Sequence, residues 1–96
     1  METRTDTTTE TKQWRIEVFL TEEDGRTTAT ARLRTGAGEV LDASGTARLN
    51  PVDRNVPEIG DELATARALS ALAHLLLDVA AEDIEDVTHK HVRLES

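Results

Sequence analysis

The chain contains no cysteine, and this absence excludes several kinds of site. Without thiols there is no disulfide scaffold, no thiolate nucleophile, no cysteine-ligated zinc and no iron–sulfur cluster. Aromatic residues are nearly absent too, since Trp14 and Phe19 are the only two. Leu, Val, Ile and Ala must therefore fill the core. We see no uninterrupted apolar run of the roughly 18 residues that a transmembrane helix needs, so we expect no membrane span.

The N-terminal segment lacks the apolar stretch of a secretory signal, because residues 2–12 are polar and rich in threonine. We therefore predict a disordered tail over residues 1–12 and a single domain over residues 13–96, located in the cytoplasm. A length of 96 residues suits one domain.

The formal net charge of -8 is concentrated in the C-terminal half. Residues 55–96 carry three basic against nine acidic side chains, whereas the two signs balance over residues 12–54. Proteins that bind phosphate backbones show the opposite pattern, a basic surface and a high pI. Nucleic acid is therefore not an expected partner.

Residues 14–49 alternate between apolar or small and polar side chains, the pattern of half-buried strands. Asp24-Gly25 and the segment 35–39 separate three such stretches, which predicts an antiparallel meander. In the first strand Trp14 shares the inner face with Ile16, Val18 and Leu20, so Phe19 is predicted to point away from the core.

A helical pattern follows Pro57, which suits the first turn of a helix. We predict that Leu69 and Leu76 pack on the second and third strands. The full predicted sheet-facing set is Leu63, Ala66, Leu69, Ala73, Leu76, Leu77, Ala80, Ile84 and Val87. Acidic residues after Ala81 would oppose the dipole at the end of one long helix but suit the first turn of a second, which favours a break or bend near Ala80.

The predicted fold class is α+β, a three-stranded antiparallel meander followed by a long or bent C-terminal helix on one face. Trp14 before alternating strands, the segment 50–64, the sequence Ala66-Arg67-Ala68-Leu69 and the sequence Asp83-Ile84-Glu85 also resemble an actinobacterial family of small domains described as dsRBD-like. The resemblance spans roughly residues 14–94. It implies a β-β-β-α arrangement and assigns no activity, cofactor or catalytic residue.

The outer face of the predicted sheet is rich in arginine, which pairs with phosphate or carboxylate through two parallel hydrogen bonds. Its possible ligand-binding residues are Arg15, Phe19, Arg32, Arg34 and Arg48. The alternative is a solvated face with internal ion pairs, since Glu17 and Asp42 lie on the same side. A duplex-RNA binder would also need a basic helix start, whereas this one carries Glu58, Asp61 and Glu62.

Two histidine arrangements have simple alternatives to a catalytic or metal-binding role. His74 precedes Asp78 by one helical turn, which suits a surface pair better than acid–base chemistry, because no nucleophile accompanies it. His89 and His91 could hold a metal with Glu95, but two imidazoles make a weak site. We predict no catalytic residue, no metal and no cofactor.

Apolar residues extend beyond the predicted sheet-facing side of the helix, which indicates a self-association patch. Its residues are Ala68, Leu72, Leu75 and Val79. The alternative is that residues 87–94 fold back over them within one chain. The leading hypothesis is a non-catalytic interaction or assembly module that forms a homodimer. The alternative is a binder of small anions, another ligand or nucleic acid through the arginine-rich face. A third possibility is an enzyme whose site forms only between subunits.

Overall fold

The structure, a computed structural model, describes residues 8–48 and 57–88. Three nine-residue strands, β1 (Arg15–Glu23), β2 (Arg26–Arg34) and β3 (Val40–Arg48), form one antiparallel sheet in the order β1-β2-β3. A single helix, α1 (Pro57–Thr88), follows and packs on one face. The predicted α+β, β-β-β-α fold is confirmed. Residues 1–7 of the predicted tail lie outside the described residues.

The two turns explain why the strands pair in this register. Asp24 and Gly25 both have positive φ, 54° and 75°, as the two central residues of a type I′ turn require. The second turn is held by Thr35, whose amide donates to the Glu39 carbonyl at 2.9 Å and whose hydroxyl accepts from the Glu39 amide at 3.1 Å. Both connections are short, so each strand pairs with its neighbour in sequence.

The register places the strand faces as the alternation predicts. Val18 lies opposite Ala31 on the helix side, and Phe19 lies opposite Thr30 on the outer side. Because Ala29 and Ala31, on either side of Thr30, are the buried residues of β2, this register confirms that Phe19 points away from the core. Along β2 every second residue is buried, from Thr27 to Leu33.

The core is unusually rich in alanine because the helix lies very close to β3. Its fully buried hydrophobic residues are Ala29, Ala31, Leu33, Ala47, Ala64, Ala68 and Leu72. A Cβ atom placed on Gly45 would lie 2.6 Å from Cβ of Arg67 and closer still to the amide nitrogen of Ala68. The Arg67 guanidinium then donates to the Thr46 carbonyl at 2.8 Å. Gly45 therefore permits the contact, and Arg67 ties α1 to β3.

The predicted rotation of α1 about its axis is wrong. Gly60, Ala64, Ala68 and Leu72 face the sheet, whereas Leu69 is 39% exposed; Leu76 is half-buried beside the core. Small residues one turn apart let the helix backbone approach the small residues of β3 closely. Large leucines at the contact would have held the helix farther away.

The helix is also continuous, so a break near Ala80 does not occur. Its last turns extend past the sheet and expose Glu82, Asp83 and Asp86 to solvent. An exposed acidic residue near a helix C-terminus costs only about 0.3–1 kcal/mol and is screened by salt. This penalty is too small to break a helix whose preceding turns are packed.

Candidate functional site

The centre of the outer sheet face is occupied by an internal ion pair. Arg32 contacts Asp42 through two parallel hydrogen bonds, Nε to Oδ1 at 2.9 Å and Nη2 to Oδ2 at 3.1 Å. Hydrogen bonding to Arg32 lowers the pKa of the Asp42 carboxyl, and the same bond raises the pKa of Arg32. The guanidinium carbon also lies 5.5 Å from the centroid of the Phe19 ring. The guanidinium of Arg32 is therefore already engaged by Asp42 and the Phe19 ring within the sheet.

The remaining arginines of this face stand in two like-charged pairs. Arg15 lies opposite Arg34 at one end of the sheet, and Arg26 lies opposite Arg48 at the other. Directly opposed like charges destabilise a sheet modestly. Of the five predicted ligand-binding residues, Arg15 and Arg34 are therefore adjacent, Phe19 and Arg32 contact each other, and Arg48 is distant from Arg34.

The larger unexplained surface is on the helix, on the side facing away from the sheet. We call it the outer face of α1. It consists of Ile59, Leu63, Ala66, Leu69, Ala73, Leu77 and Ile84. Between Leu63 and Leu77 the only formally charged side chain of the helix is Arg67, and its guanidinium is bonded to β3. A helix that is apolar on all sides is typically buried by a neighbour.

The second uncovered surface is the helix side of β1. It consists of Ile16, Val18 and Leu20, and we call it the open face of β1. Ile16 is 47% and Leu20 45% exposed, because α1 packs against β3 and β2 and barely touches β1. At the start of the strand, an open groove of about 640 Å³ separates Trp14 from Leu76 and Val79 of the helix.

The four residues predicted to form the self-association patch are buried or half-buried. Ala68 and Leu72 are fully buried in the core, Leu75 packs against it and Val79 is half-buried. This set cannot form an exposed patch, so the prediction is wrong. The residues predicted to cover the sheet are the ones mostly left in solvent. The spacing of Gly60, Ala64 and Ala68 was the available signal, because small residues one turn apart mark a close helix contact.

The histidine predictions have separate outcomes. Nδ1 of His74 lies 2.9 Å from the Ser70 carbonyl oxygen, one turn earlier in the same helix, so Ser70 rather than Asp78 is its partner. His89, His91 and Glu95 lie outside the described residues. Within residues 8–48 and 57–88, no group of three or more metal-ligating side chains comes together.

The absence of a membrane span stays a prediction, although the composition of α1 weakens its premise. The helix segment Glu58–Thr88 is long and apolar enough to cross a bilayer by length and composition, although core helices of water-soluble proteins pass the same test. Only 17% of its most apolar window is buried inside the protein. The apolar excess of α1 is thus mostly on the surface.

These features define a class, the small β-β-β-α domain with one long helix, and no catalytic role is indicated for it. The chain belongs to the Rv2632c-like family, whose model matches residues 12–93. Uncharacterized protein Mb1767 of Mycobacterium bovis is 52% identical over 83 residues, which cover 86% of this chain and 87% of that protein. Uncharacterized protein Rv2632c of Mycobacterium tuberculosis is 49% identical over 81 residues, covering 84% and 86%.

The fold agrees with a solved relative. The crystal structure of Rv2632c superposes with a TM-score of 0.77 at 48% identity, covering 85% of this chain and 96% of that one. The predicted membership of an actinobacterial family of unknown function is confirmed. Its dsRBD-like relationship stays a prediction.

Proposed function

We propose that this protein is a non-catalytic assembly module of the cytoplasm that works as a homo-oligomer held together by the outer face of α1. The observation that supports this proposal is the apolar strip that runs along the exposed side of the helix from Ile59 to Ile84. Isolated exposed apolar residues are ordinary, but a continuous strip marks an interaction surface. Acidic side chains lie at its two ends, as at the polar rim of an interface.

A second copy fits this strip better than a membrane does. A net charge of -8 is repelled by anionic lipid headgroups. Exposed acidic side chains also flank the strip at both ends of the helix, and an anionic bilayer surface would repel them. Pairing of identical surfaces about a two-fold axis is the commonest way in which small proteins bury such a strip.

The test is the mass of the particle in solution at micromolar concentration, measured by sedimentation velocity or light scattering. The wild type is expected to be a dimer, and Leu69→Glu a folded monomer by circular dichroism. Val40→Glu is the matched control, because Val40 is similarly exposed but lies on the outer sheet face.

Leu63→Glu repeats the test at a second position of the strip. A wild type that is monomeric at these concentrations contradicts the proposal. So does a dimer that survives both helix substitutions. Flotation of the wild type with lipid vesicles would identify the strip as a membrane surface instead.

A second candidate function, binding of a small anion or nucleic acid, is favoured by the opposed pair Arg15 and Arg34. These guanidinium groups lie on neighbouring strands, and no described residue forms a hydrogen bond or ion pair with them. It ranks lower because Arg32 is already neutralised by Asp42 and the overall charge repels anions.

The experiment for this candidate is a polarisation titration with duplex RNA and with pyrophosphate at about 150 mM salt, where screening is physiological. We expect no binding of either. Micromolar affinity that disappears in an Arg15→Gln/Arg34→Gln variant, and persists in Arg26→Gln/Arg48→Gln, would promote this candidate above assembly.

A further inference from the structure

The position of α1 leaves the sheet only partly covered. A helix with its side chains is about 10–12 Å across, whereas three strands spaced about 4.8 Å apart form a wider surface. Because α1 lies over β3 and β2, the open face of β1 is covered by its own chain only at Val18, and Ile16 and Leu20 stay exposed within the described residues. A second helix beside α1 would complete the layer.

The same molecule carries a helix surface suited to that position. The outer face of α1 runs over about 38 Å from Ile59 to Ile84 at ~1.5 Å per residue, long enough to cover the roughly 30 Å of a nine-residue strand. Both surfaces are apolar and uncharged over their central parts. Neither offers the charge that would select a strongly basic or acidic partner.

Reciprocal packing of two copies buries both surfaces at once. If α1 of one copy lies over β1 of the other, two-fold symmetry places the second helix over the first copy's β1. The two sheets then face each other with both helices between them. Each helix contacts its own sheet through Ala64 and Ala68 and the partner's sheet through its outer face.

Edge pairing of two β1 strands is the main competing arrangement. The type I′ turn closes on a hydrogen-bonded pair, Glu23 and Arg26, so the amides of even-numbered β1 residues point to the free edge. A two-fold axis at Phe19 would set Arg15 opposite Glu23 of the other copy. This arrangement pairs the free backbone groups of the β1 edge but leaves the open face of β1 and the outer face of α1 in water.

We propose that the dimer forms by reciprocal docking, in which the outer face of α1 in each copy covers the open face of β1 in the other. This inference rests on the proposed function, since it specifies the surface that α1 meets. It identifies Ile16, Val18 and Leu20 as interface residues.

Adjacent residues of β1 supply the first test. Leu20 and Phe19 are 45% and 47% exposed but point to opposite faces of the sheet. Leu20→Glu is expected to convert the dimer to a folded monomer, and Phe19→Glu to leave it dimeric. Dissociation by Phe19→Glu together with a dimeric Leu20→Glu would overturn the inference in favour of edge pairing.

Cysteine cross-linking provides the second test, with no background because the chain has no cysteine. Copies carrying Leu20→Cys or Ile16→Cys are mixed with copies carrying Leu63→Cys or Leu69→Cys and oxidised. The disulfide between a β1 variant and an α1 variant is expected to be the major cross-linked product.

The alternative outcomes separate the two proposals. Disulfides only between identical α1 variants would show helix-to-helix pairing, which overturns reciprocal docking while retaining the assembly function. Phe19→Cys that cross-links with itself would show edge pairing and also overturn it. A monomeric wild type, together with cysteine variants that form no cross-link in any combination, contradicts both proposals.

Discussion

Strands β1 and β2 have the same length and a similar alternation of side chains, yet their environments differ sharply. On β2 every residue from Thr27 to Leu33 that points toward the helix is buried. On β1 the equivalent positions are exposed apart from Val18, which is half-buried. The difference arises because one helix spans about two strands. Alternation thus predicts which face a residue occupies, whereas burial depends on what lies over that face.

The two sides of α1 also differ in burial, as β2 and β1 do. The sheet-facing side is built from Gly60, Ala64, Ala68 and Leu72, and the outer side carries most of the large aliphatic residues. Large apolar residues therefore mark the exposed side of α1, and small ones mark the contact within the chain. The predictions below test this contrast.

The largest expected loss of stability comes from truncating Leu72, whose side chain is 1% exposed. Leu72→Ala removes buried methyl groups and leaves a cavity, which should lower the free energy of unfolding by about 2–5 kcal/mol. Leu69→Ala, one turn away in the same helix, is the matched control and should cost much less at concentrations where the protein is monomeric. Urea unfolding measures both, and equal losses would contradict the assigned rotation of α1.

A smaller loss is expected at the closest helix contact. Gly45→Ala places a methyl group against the backbone of Arg67 and Ala68, which must move apart. We expect a loss of about 1–3 kcal/mol in the free energy of unfolding, typical of overpacking. Gly36→Ala is the control, because a Cβ there meets only Trp14 Nε1 at 3.6 Å. A neutral Gly45→Ala would show that α1 lies farther from β3.

Replacing Thr27 is expected to raise the free energy of unfolding. Its side chain is 1% exposed, and its hydroxyl has no hydrogen-bond partner in the described part of the chain. Thr27→Val keeps the shape and removes the desolvated hydroxyl, so the free energy of unfolding should rise by up to about 1 kcal/mol. Thr28→Val, on the outer face of the same strand, should change it little. A loss at Thr27 would indicate that the hydroxyl is bonded.

The smallest expected contribution to stability is that of the ion pair between Asp42 and Arg32. Because Arg32 lowers the pKa of this carboxyl from its ordinary value of 3.8, the pair contributes to stability above that pH. The contribution disappears as the pH falls through the lowered pKa of the folded state. NMR titration should show the Asp42 pKa rising in Arg32→Gln and in high salt. An unchanged pKa in Arg32→Gln would mean that the ion pair does not form in solution.

Local sequence signals predicted much of this fold. Alternation placed Phe19 on the outer face, and Asp24-Gly25 located the first turn, because each depends on backbone geometry within a few residues. The rotation of α1 was not predictable from hydrophobicity, since Leu69 and Leu72 are equally apolar and lie on different sides. The small residues one turn apart were the local signal, and the fit of Ala68 against Gly45, far apart in sequence, decides between the two sides.

The candidate site was also only partly predictable from local sequence signals. The Arg32–Asp42 pair agrees with the internal ion pairs expected on the outer sheet face. The open face of β1 could not be predicted, because its pattern is that of a covered strand. Only the observed position of the helix over β2 and β3 shows that it is open.

The bond from Arg67 to the Thr46 carbonyl affects how many copies can associate. Thr46 lies on an edge strand, and the guanidinium occupies one of the acceptors that an added strand would need. A sheet with two usable edges can add strands without limit and form a fibre. The bond therefore makes strand addition at the β3 edge less favourable. One arginine on the helix thus helps protect this small sheet from becoming a template for polymerisation.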